Sequence, residues 1–167
     1  MTKATGPLYN VHFARRRKGI TDYETRLALL KSGKPRLVVR KTNKSIIVQV
    51  IDYNVDGDKT MCAANSRELT KYGFAGKCNT PSAYLVGLLI AKRAKEKGVK
   101  VAIADIGRQT RTKGGILFAA LKGFVDGGIK LPLGEEIVPS EERVSGAHLK
   151  GDAKTAFEKA KSGILNG

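Results

Sequence analysis

Two runs of β-branched and other apolar residues, RLVVRK and SIIVQVIDY, are separated only by the tripeptide at 42–44. Runs of this kind favour extended chain, and so short a connection folds one strand back antiparallel to the other. We therefore expect a β-hairpin, with Asn43 tolerating a positive φ angle in its turn. A second turn at 54–58 leads into KTMCAAN, which adds a third strand and completes an antiparallel meander.

The segment before the hairpin, TDYETRLALLKSG, predicts a short helix near residues 22–32. Thr21 and Glu24 have the spacing of a capping box, in which each side chain accepts a hydrogen bond from the other residue's backbone amide. The helix has one apolar face. Tyr23, Leu27 and Leu30 lie on that face, which we expect to pack against the core; for Tyr23, stacking on RNA is the alternative.

Beyond the meander the apolar residues change to helical spacing. Thr80 is a suitable N-cap, and Pro81 suits the first turn of a helix that should end near Lys97. A buried strand over VKVAIADI, a loop over GRQTRTKGG and a helix over ILFAALKGFVDGG should follow. A last helix at 151–163 would place Ala156, Phe157 and Ala160 on one side. The expected fold is α/β, with a mixed sheet made of the three-strand meander and a crossover strand, covered by packed helices.

Positive charge is concentrated towards the N-terminus. The first 44 residues hold twelve Lys or Arg and two acidic residues, whereas residues 135–167 hold five basic and six acidic residues. Clustered Lys and Arg neutralise phosphates and release bound counterions, so the expected partner is a nucleic acid. We accordingly divide the chain into a basic N-terminal arm at 1–20, an α/β RNA-binding domain at 21–134 and a C-terminal extension at 135–167.

Three features of the chain suit RNA in particular. Aromatic side chains lie among the arm's charges, where bases can stack while cations pair with phosphates. Strand alternation places polar side chains of the hairpin on one sheet face, which we expect to be basic and open. The loop at 107–115 runs into a helix N-terminus, where backbone amides favour phosphate. The residues concerned are Tyr9, His12 and Phe13 in the arm, Arg36, Arg40 and Gln49 on the hairpin, and Arg108, Arg111 and Lys113 in the loop.

Motifs for catalysis and for cofactors are weak. Asp52, Asp58 and Asp105 supply the residue type that a two-metal nuclease needs on such a sheet, and this nuclease is the alternative function. Asp56 and Asp58 flank a glycine, but the other ligands of a calcium loop are missing, so we expect a plain turn. The chain has no G-x-G-x-x-G or G-x-x-x-x-G-K motif, and we expect neither a cofactor nor a metal. A third possibility, a chromatin-like basic protein, predicts no preference for RNA.

The cysteines and the N-terminus indicate a cytoplasmic protein. Cys62 and Cys78 have no CxxC partner, so we expect two buried thiols, without a disulfide or a zinc site. The start, MTKATGPLYN, lacks the apolar region of a signal peptide. The longest apolar run, YLVGLLIA, falls far short of the roughly 20 residues that a membrane-spanning helix needs.

Several long segments resemble one family. TDYETRLALLKSGKPRLVVRKTNKSIIVQVIDY is similar to the opening of the large-subunit ribosomal protein L-eighteen family in its archaeal form, the relatives of eukaryotic L-five. NTPSAYLVGLLIAKRAKEKGV resembles the family's central helix, VAIADIGRQTRTKGGILFAALKGFVDGGIKLP its next strand, loop and helix, and EERVSGAHL the start of its C-terminal part. The resemblance covers most of residues 8–149.

The resemblance implies a structural protein that binds 5S rRNA in the central protuberance of the large ribosomal subunit. It also implies contacts with large-subunit rRNA and with a neighbouring 5S-binding ribosomal protein, and a ribonuclease-H-like fold without catalysis. It assigns RNA contact to Arg15, Arg16, Arg17, Lys18, Arg36, Arg40, Lys41, Asn43 and Lys44. Thr21, Arg26 and Lys34, from the same N-terminal region, complete the expected rRNA-binding set. The contacts of longer C-terminal extensions in relatives do not transfer, since this chain ends soon after Leu149.

Overall fold

The computed structural model describes residues 6–149 and 152–166. Residues 1–5 of the predicted arm, Lys3 among them, and residues 150, 151 and 167 of the predicted extension lie outside the described residues. The helices are α1 (Ala14–Arg17), α2 (Tyr23–Lys31), α3 (Thr80–Glu96), α4 (Ile116–Asp126), α5 (Glu141–Ser145) and α6 (Ala153–Asn166). The strands are β1 (Arg36–Lys41), β2 (Ile46–Asp52), β3 (Lys59–Asn65) and β4 (Ile103–Asp105), and 3-10 turns span Ser66–Tyr72 and Glu135–Ile137.

A single four-stranded sheet has the order β3-β2-β1-β4. Strands β1, β2 and β3 form the antiparallel meander, and β4 joins the other edge of β1 in parallel, so that Arg36 lies opposite Ile103 and Val38 opposite Asp105. The predicted mixed α/β fold is confirmed. The regular part of β4 is shorter than expected, because residues 100–102 pair with Lys130 instead of β1: the Lys130 amide donates to the carbonyl of Lys100 at 3.1 Å and the Ala102 amide to that of Lys130 at 3.0 Å.

The hairpin turn closes through a side chain. The amide of Thr42 donates to the carbonyl of Ser45 at 2.9 Å, and the amide of Ser45 donates to Oγ1 of Thr42 at 2.9 Å. The prediction of a positive φ angle at Asn43 is wrong, because only glycines adopt positive φ among the described residues. The Thr42 hydroxyl bonds both the amide and the carbonyl of Ser45, so the turn closes without a residue in the left-handed conformation.

One face of the sheet carries the core. Leu37, Val39, Val48 and Val50 alternate along β1 and β2 and are fully buried. Helices α3 and α4 cover this face, and α3 is buried over most of its length. Because α3 and α4 lie on the same side, the other face of the sheet is left for polar side chains and for α2.

Two glycines let α3 and α4 pack with their backbones in contact. A Cβ atom at Gly123 would overlap the carbonyl oxygen of Tyr84, and one at Gly87 would overlap that of Ala120. Both neighbouring atoms belong to helix backbone, so relief requires the helices to separate. This contact ties the helical layer together and fixes where α4, and the loop before it, sit relative to the sheet.

Replacing Gly123 with alanine should lower the free energy of unfolding by about 1–3 kcal/mol. The steric overlap outweighs the gain of about 1 kcal/mol that alanine brings to a helix interior. Urea denaturation followed by circular dichroism measures the change. Gly134→Ala is the matched control, since a Cβ there meets nothing within 4 Å, and its effect should stay within about 0.5 kcal/mol. Equal effects of the two substitutions would contradict the packing argument.

Helix α2 lies close to its predicted bounds but differs in its cap and in its packing. The N-cap is Asp22, whose carboxylate accepts hydrogen bonds from the amides of Glu24 at 3.1 Å and Thr25 at 3.2 Å, so the capping box at Thr21 is wrong. The expected core face is also wrong, because Tyr23 is 37% and Leu27 is 56% exposed. Helices α3 and α4 occupy the apolar face of the sheet, and α2 lies beside the polar one.

The C-terminal half largely follows expectation. Asn79, rather than Thr80, caps α3 by accepting a hydrogen bond from the amide of Ser82, while Pro81 lies in the first turn as predicted. The predicted last helix is present as α6, and its Phe157 and Ala160 are buried. The Phe157 ring packs 5.7 Å from that of Tyr84 on α3. None of the helices in the described ranges is long and apolar enough to cross a membrane.

Candidate nucleic-acid interface

The end of the N-terminal arm and the loop at 107–113 meet in space. A Cβ atom at Gly19 would lie 3.8 Å from the guanidinium of Arg108. A cleft of about 440 Å³ between the two segments is lined by side chains that include Arg16, Arg108 and Arg111. Within the arm, Nε of Arg15 donates to Oγ1 of Thr21 at 3.0 Å. Two basic segments nearly 90 residues apart in sequence therefore form one surface.

Gln109 fastens this loop to the sheet. Its Oε1 accepts a hydrogen bond from the amide of Lys41 at 2.8 Å, and its Nε2 donates to the carbonyls of Val39 at 2.7 Å and Ile106 at 3.1 Å. The end of β1, and with it the hairpin turn, is thus joined to the basic loop. Sequence reasoning missed Gln109, because no local pattern marks a glutamine whose partners lie 70 residues away.

Replacing Gln109 with leucine should expose the Lys41 amide and lower the free energy of unfolding by about 1–3 kcal/mol, because three hydrogen bonds are lost. Hydrogen exchange measured by NMR should show the Lys41 amide exchanging faster in the variant. Gln49→Leu on the polar sheet face is the matched control, since no side-chain hydrogen bond of Gln49 is found among the described residues. Unchanged exchange at Lys41 in Gln109→Leu would show that Gln109 does not hold the loop.

Most of the predicted basic residues project from this one region. We define the basic surface as the exposed cations of the arm, the hairpin turn and the loop, namely Arg15, Arg16, Arg17, Lys18, Lys41, Lys44, Arg108 and Arg111. In the described parts of the chain none of these eight has a carboxylate within 4 Å. Asn43 lies exposed in the turn, and Lys113 lies at the margin, 3.8 Å from Glu136. The surface can therefore accept a polyanion without first breaking internal ion pairs.

Two acidic residues, Asp22 and Glu24, line the same cleft as Arg16 and Arg108. The pKa of Asp22 is held below its ordinary value, chiefly by the hydrogen bond from the backbone amide of Thr25, with a smaller contribution from the charge of Arg108. Asp22 caps α2, so its charge is tied to the helix N-terminus rather than directed at a ligand.

Arg36 corrects the expectation of a basic, open sheet face. It is 3% exposed, and its guanidinium donates to Oδ2 of Asp105 at 2.8 Å and to Oδ2 of Asp58 at 2.6 Å. Arg26 on α2 reaches the same Asp58 oxygen at 2.7 Å. Because its guanidinium is buried and both of its terminal nitrogens are bound to carboxylates, Arg36 is a structural residue and is not available to phosphate.

Arg40 and Gln49 lie on the same sheet face as Arg36 but are partly exposed. The guanidinium of Arg40 donates to the carbonyls of Val39 at 3.0 Å and Asp105 at 3.1 Å, and lies 3.4 Å from the Asp105 carboxylate. Its side chain is still 43% exposed, so one edge of the guanidinium is held in place and the rest faces solvent. Gln49, opposite Val38 on β2, is half-buried on the same face.

The remaining predicted residues are divided between two places. In the arm, Phe13 is 82% and Tyr9 is 44% exposed, and His12 is exposed as well, so these rings are free to stack. Lys34 precedes β1 and lies at the opposite end of the sheet from Lys41. Lys34 therefore cannot share one RNA contact with the hairpin turn.

The carboxylates that a nuclease would require are not grouped for metal binding. Asp58 and Asp105 do come together, but Arg36 lies between them, and Arg26 and Arg40 also pair with them, so their negative charge is already balanced by arginines. Asp52 lies exposed at the end of β2, on the opposite face from Arg36. No cluster of three or more His, Cys, Asp or Glu suited to a metal occurs in the described part of the chain. Cys62 is buried and Cys78 is half-buried, and burial raises the pKa of both thiols.

Comparisons with known proteins agree on one family. Residues 8–100 match the family model described as ribosomal large subunit proteins 60S L5 and 50S L18. The large ribosomal subunit protein uL18 of Methanoregula boonei is 54% identical over 147 residues, which cover 87% of this chain and 84% of that protein. The uL18 protein of Methanoculleus marisnigri is 51% identical over 164 residues, which cover 98% of this chain and 92% of that protein. The uL18 protein of Korarchaeum cryptofilum is 54% identical over 152 residues, which cover 90% of this chain and 77% of that protein.

Proposed function

The chain belongs to the family of ribosomal large-subunit proteins 60S L5 and 50S L18, and on this premise we propose that it binds 5S rRNA. As a member of this family it is a structural component of the large ribosomal subunit and not an enzyme, and rRNA is its partner. The proposal adds that the protein anchors 5S rRNA in the central protuberance, through contacts with large-subunit rRNA and beside another 5S-binding ribosomal protein.

The observation that carries the proposal is the convergence of three separate basic segments. The arm meets the loop at Gly19 and Arg108, and Gln109 joins that loop to the strand that ends in the hairpin turn. A contiguous set of unpaired cations of this kind suits an RNA backbone, because each phosphate contact releases bound counterions. Phosphate contacts from this surface supply most of the affinity, as is usual for proteins that bind structured RNA.

The selectivity for 5S rRNA has to come from the shape of the RNA and from its unpaired bases. The deep, narrow major groove of an A-form helix is closed to side chains, whereas bases in loops and bulges can stack on aromatic rings. Tyr9, His12 and Phe13 offer such rings at one edge of the basic surface. Arg40, whose inner edge is fixed by backbone carbonyls, offers a planar guanidinium in a defined orientation.

Lysine acetylation read by mass spectrometry tests which surface holds the RNA. With 5S rRNA bound, Lys18, Lys41 and Lys44 should react at least about tenfold more slowly than in the free protein, because their ammonium groups are occupied by phosphates. Lys154 and Lys159 on α6 serve as internal controls and should react at the same rate in both states. Protection of the α6 lysines with no protection at Lys41 and Lys44 would overturn the proposed binding surface.

A further inference from the structure

A second group of cations lies at the other end of the sheet. We define the lysine end as Lys34, Lys95, Lys97, Lys100 and Lys130, all of them exposed. The amide of Lys130 donates to the carbonyl of Lys100 at 3.1 Å, which places these two residues on neighbouring extended segments. The amide of Ile103 donates to the carbonyl of Pro35 at 3.0 Å, which brings Lys34 alongside them. The Nζ of Lys95 lies against Gly128, and Lys97 ends the same helix.

The charges of the lysine end are not used inside the protein. Across residues 6–149 and 152–166, none of the five lysines has a carboxylate within 4 Å. Two acidic residues are nearby: Glu96, exposed between Lys95 and Lys97, and Asp126, whose carboxylate accepts a hydrogen bond from the Tyr84 hydroxyl at 2.8 Å. The region keeps a clear excess of positive charge after both are counted.

Helix capping explains only part of this arrangement. Lys95 and Lys97 lie in or next to the last turn of α3, where cations interact favourably with the helix dipole. Lys34 lies in a bend before β1, and Lys100 and Lys130 lie on neighbouring non-helical segments, so no helix dipole acts on these three. Alternation along the chain also places Lys100 and Lys130 on different sides of this end, so the cations surround the end of the sheet instead of forming one helix face.

The lysine end and the basic surface face away from each other. The strand segment from Val101 to Gly107 runs from one to the other, and six residues of extended chain span about 20 Å. Because the two surfaces lie at opposite ends of the strands, a straight RNA helix docked across the hairpin turn and the loop at 107–113 does not also cross the start of β4. The protein thus presents two separate cationic surfaces on one rigid sheet.

We infer that the lysine end binds the sugar-phosphate backbone of a second, double-helical RNA segment while the basic surface holds 5S rRNA. The inference rests on the proposed 5S rRNA binding and assigns residues to the contact with the second RNA. A double helix fits because segments 95–100 and 127–130 contain no aromatic residue on which unpaired bases could stack, and lysine is a flexible point charge suited to phosphates. The contact reads RNA by position and charge rather than by sequence.

A two-colour native gel tests the inference. The full-length protein is saturated with one labelled 5S rRNA and titrated with a differently labelled 20-base-pair RNA duplex of unrelated sequence. We expect a complex that carries both labels. In Lys95→Gln/Lys100→Gln/Lys130→Gln, 5S binding should stay within about twofold, while recruitment of the duplex should weaken at least about tenfold and lose 2 to 3 units of its salt dependence.

The matched control removes the same charge elsewhere, through Lys71→Gln/Lys154→Gln/Lys159→Gln. All three positions are exposed and lie outside both surfaces. If this control weakens duplex recruitment as much as the lysine-end variant, or if the lysine-end variant recruits the duplex normally, the inference is wrong. If 5S rRNA itself fails to bind the wild-type protein, the proposed function is wrong. In that case the titration of each free protein with the duplex still shows whether the lysine end contacts RNA.

Discussion

Replacing Arg36 with alanine should lower the free energy of unfolding by about 3–5 kcal/mol, the largest effect on stability that we expect from one polar residue of this protein. Arg36 is buried between Asp58 and Asp105 and joins three parts of the fold: β1, the β2–β3 connection and β4. Removing it leaves the Asp105 carboxylate, 8% exposed, without its main partner. Oδ1 of Asp105 keeps the Gly107 amide at 2.9 Å and Arg40 at 3.4 Å, but Oδ2 loses Arg36, its hydrogen-bond partner, and a buried carboxylate oxygen left without one is costly.

Urea denaturation followed by circular dichroism measures this effect, and Arg26→Ala is the matched control. Arg26 binds the same Asp58 oxygen, but its side chain is 34% exposed, so water replaces it readily. We expect Arg26→Ala to cost no more than about 1 kcal/mol. A similar cost for the two substitutions would mean that Arg36 contributes only surface charge, and the account of the sheet's polar face would be wrong.

The second large effect concerns binding. Replacing Arg15, Arg16 and Arg17 together with alanine should weaken 5S rRNA binding by on the order of 10- to 100-fold near physiological salt. The plot of log affinity against log salt concentration should also become shallower by about 2–3 units, because up to three phosphate contacts are lost. Filter binding over a series of salt concentrations measures both quantities.

A control with equal loss of charge separates a local contact from a general electrostatic effect. Lys71, Lys154 and Lys159 are exposed and lie away from the arm, so their combined replacement with alanine lowers the net charge by the same amount. This control should change the salt slope by less than about 1 unit. If both triple variants lose affinity equally, the arm is not a specific contact.

Much of the fold follows from local sequence patterns. The β-branched runs specify the hairpin, and the change to helical spacing near Thr80 specifies α3. The two wrong capping predictions have a common physical cause, which is competition between neighbouring residues of similar propensity. Thr21 and Asp22 are both good N-caps, and so are Asn79 and Thr80. In the structure the N-caps are Asp22 and Asn79, whose side chains accept hydrogen bonds from the first helical amides. Likewise, the apolar residues of α2 cannot show that α3 and α4 already occupy the apolar side of the sheet.

In the candidate site, too, local features could be predicted from the sequence, whereas features that depend on distant residues could not. The exposure of Lys41, Lys44 and Arg108 could be predicted, since charged side chains in turns and loops normally remain in contact with water. The burial of Arg36 could not, because its partners come from residues 22 and 69 positions away along the chain. Strand alternation placed Arg36 and Arg40 on the same face correctly, yet only tertiary contacts decide that one is enclosed and the other partly exposed. Gln109 was missed for the same reason.

The most direct test of the proposed function is a binding comparison across a salt series. The protein is titrated with 5S rRNA, with a structured RNA of the same size and with a DNA duplex. We expect 5S rRNA to bind at least on the order of 100-fold more tightly than the other two at physiological salt, and its affinity to fall as salt rises. Equal affinity for all three would contradict 5S rRNA recognition and leave the basic surface as a general site for polyanions.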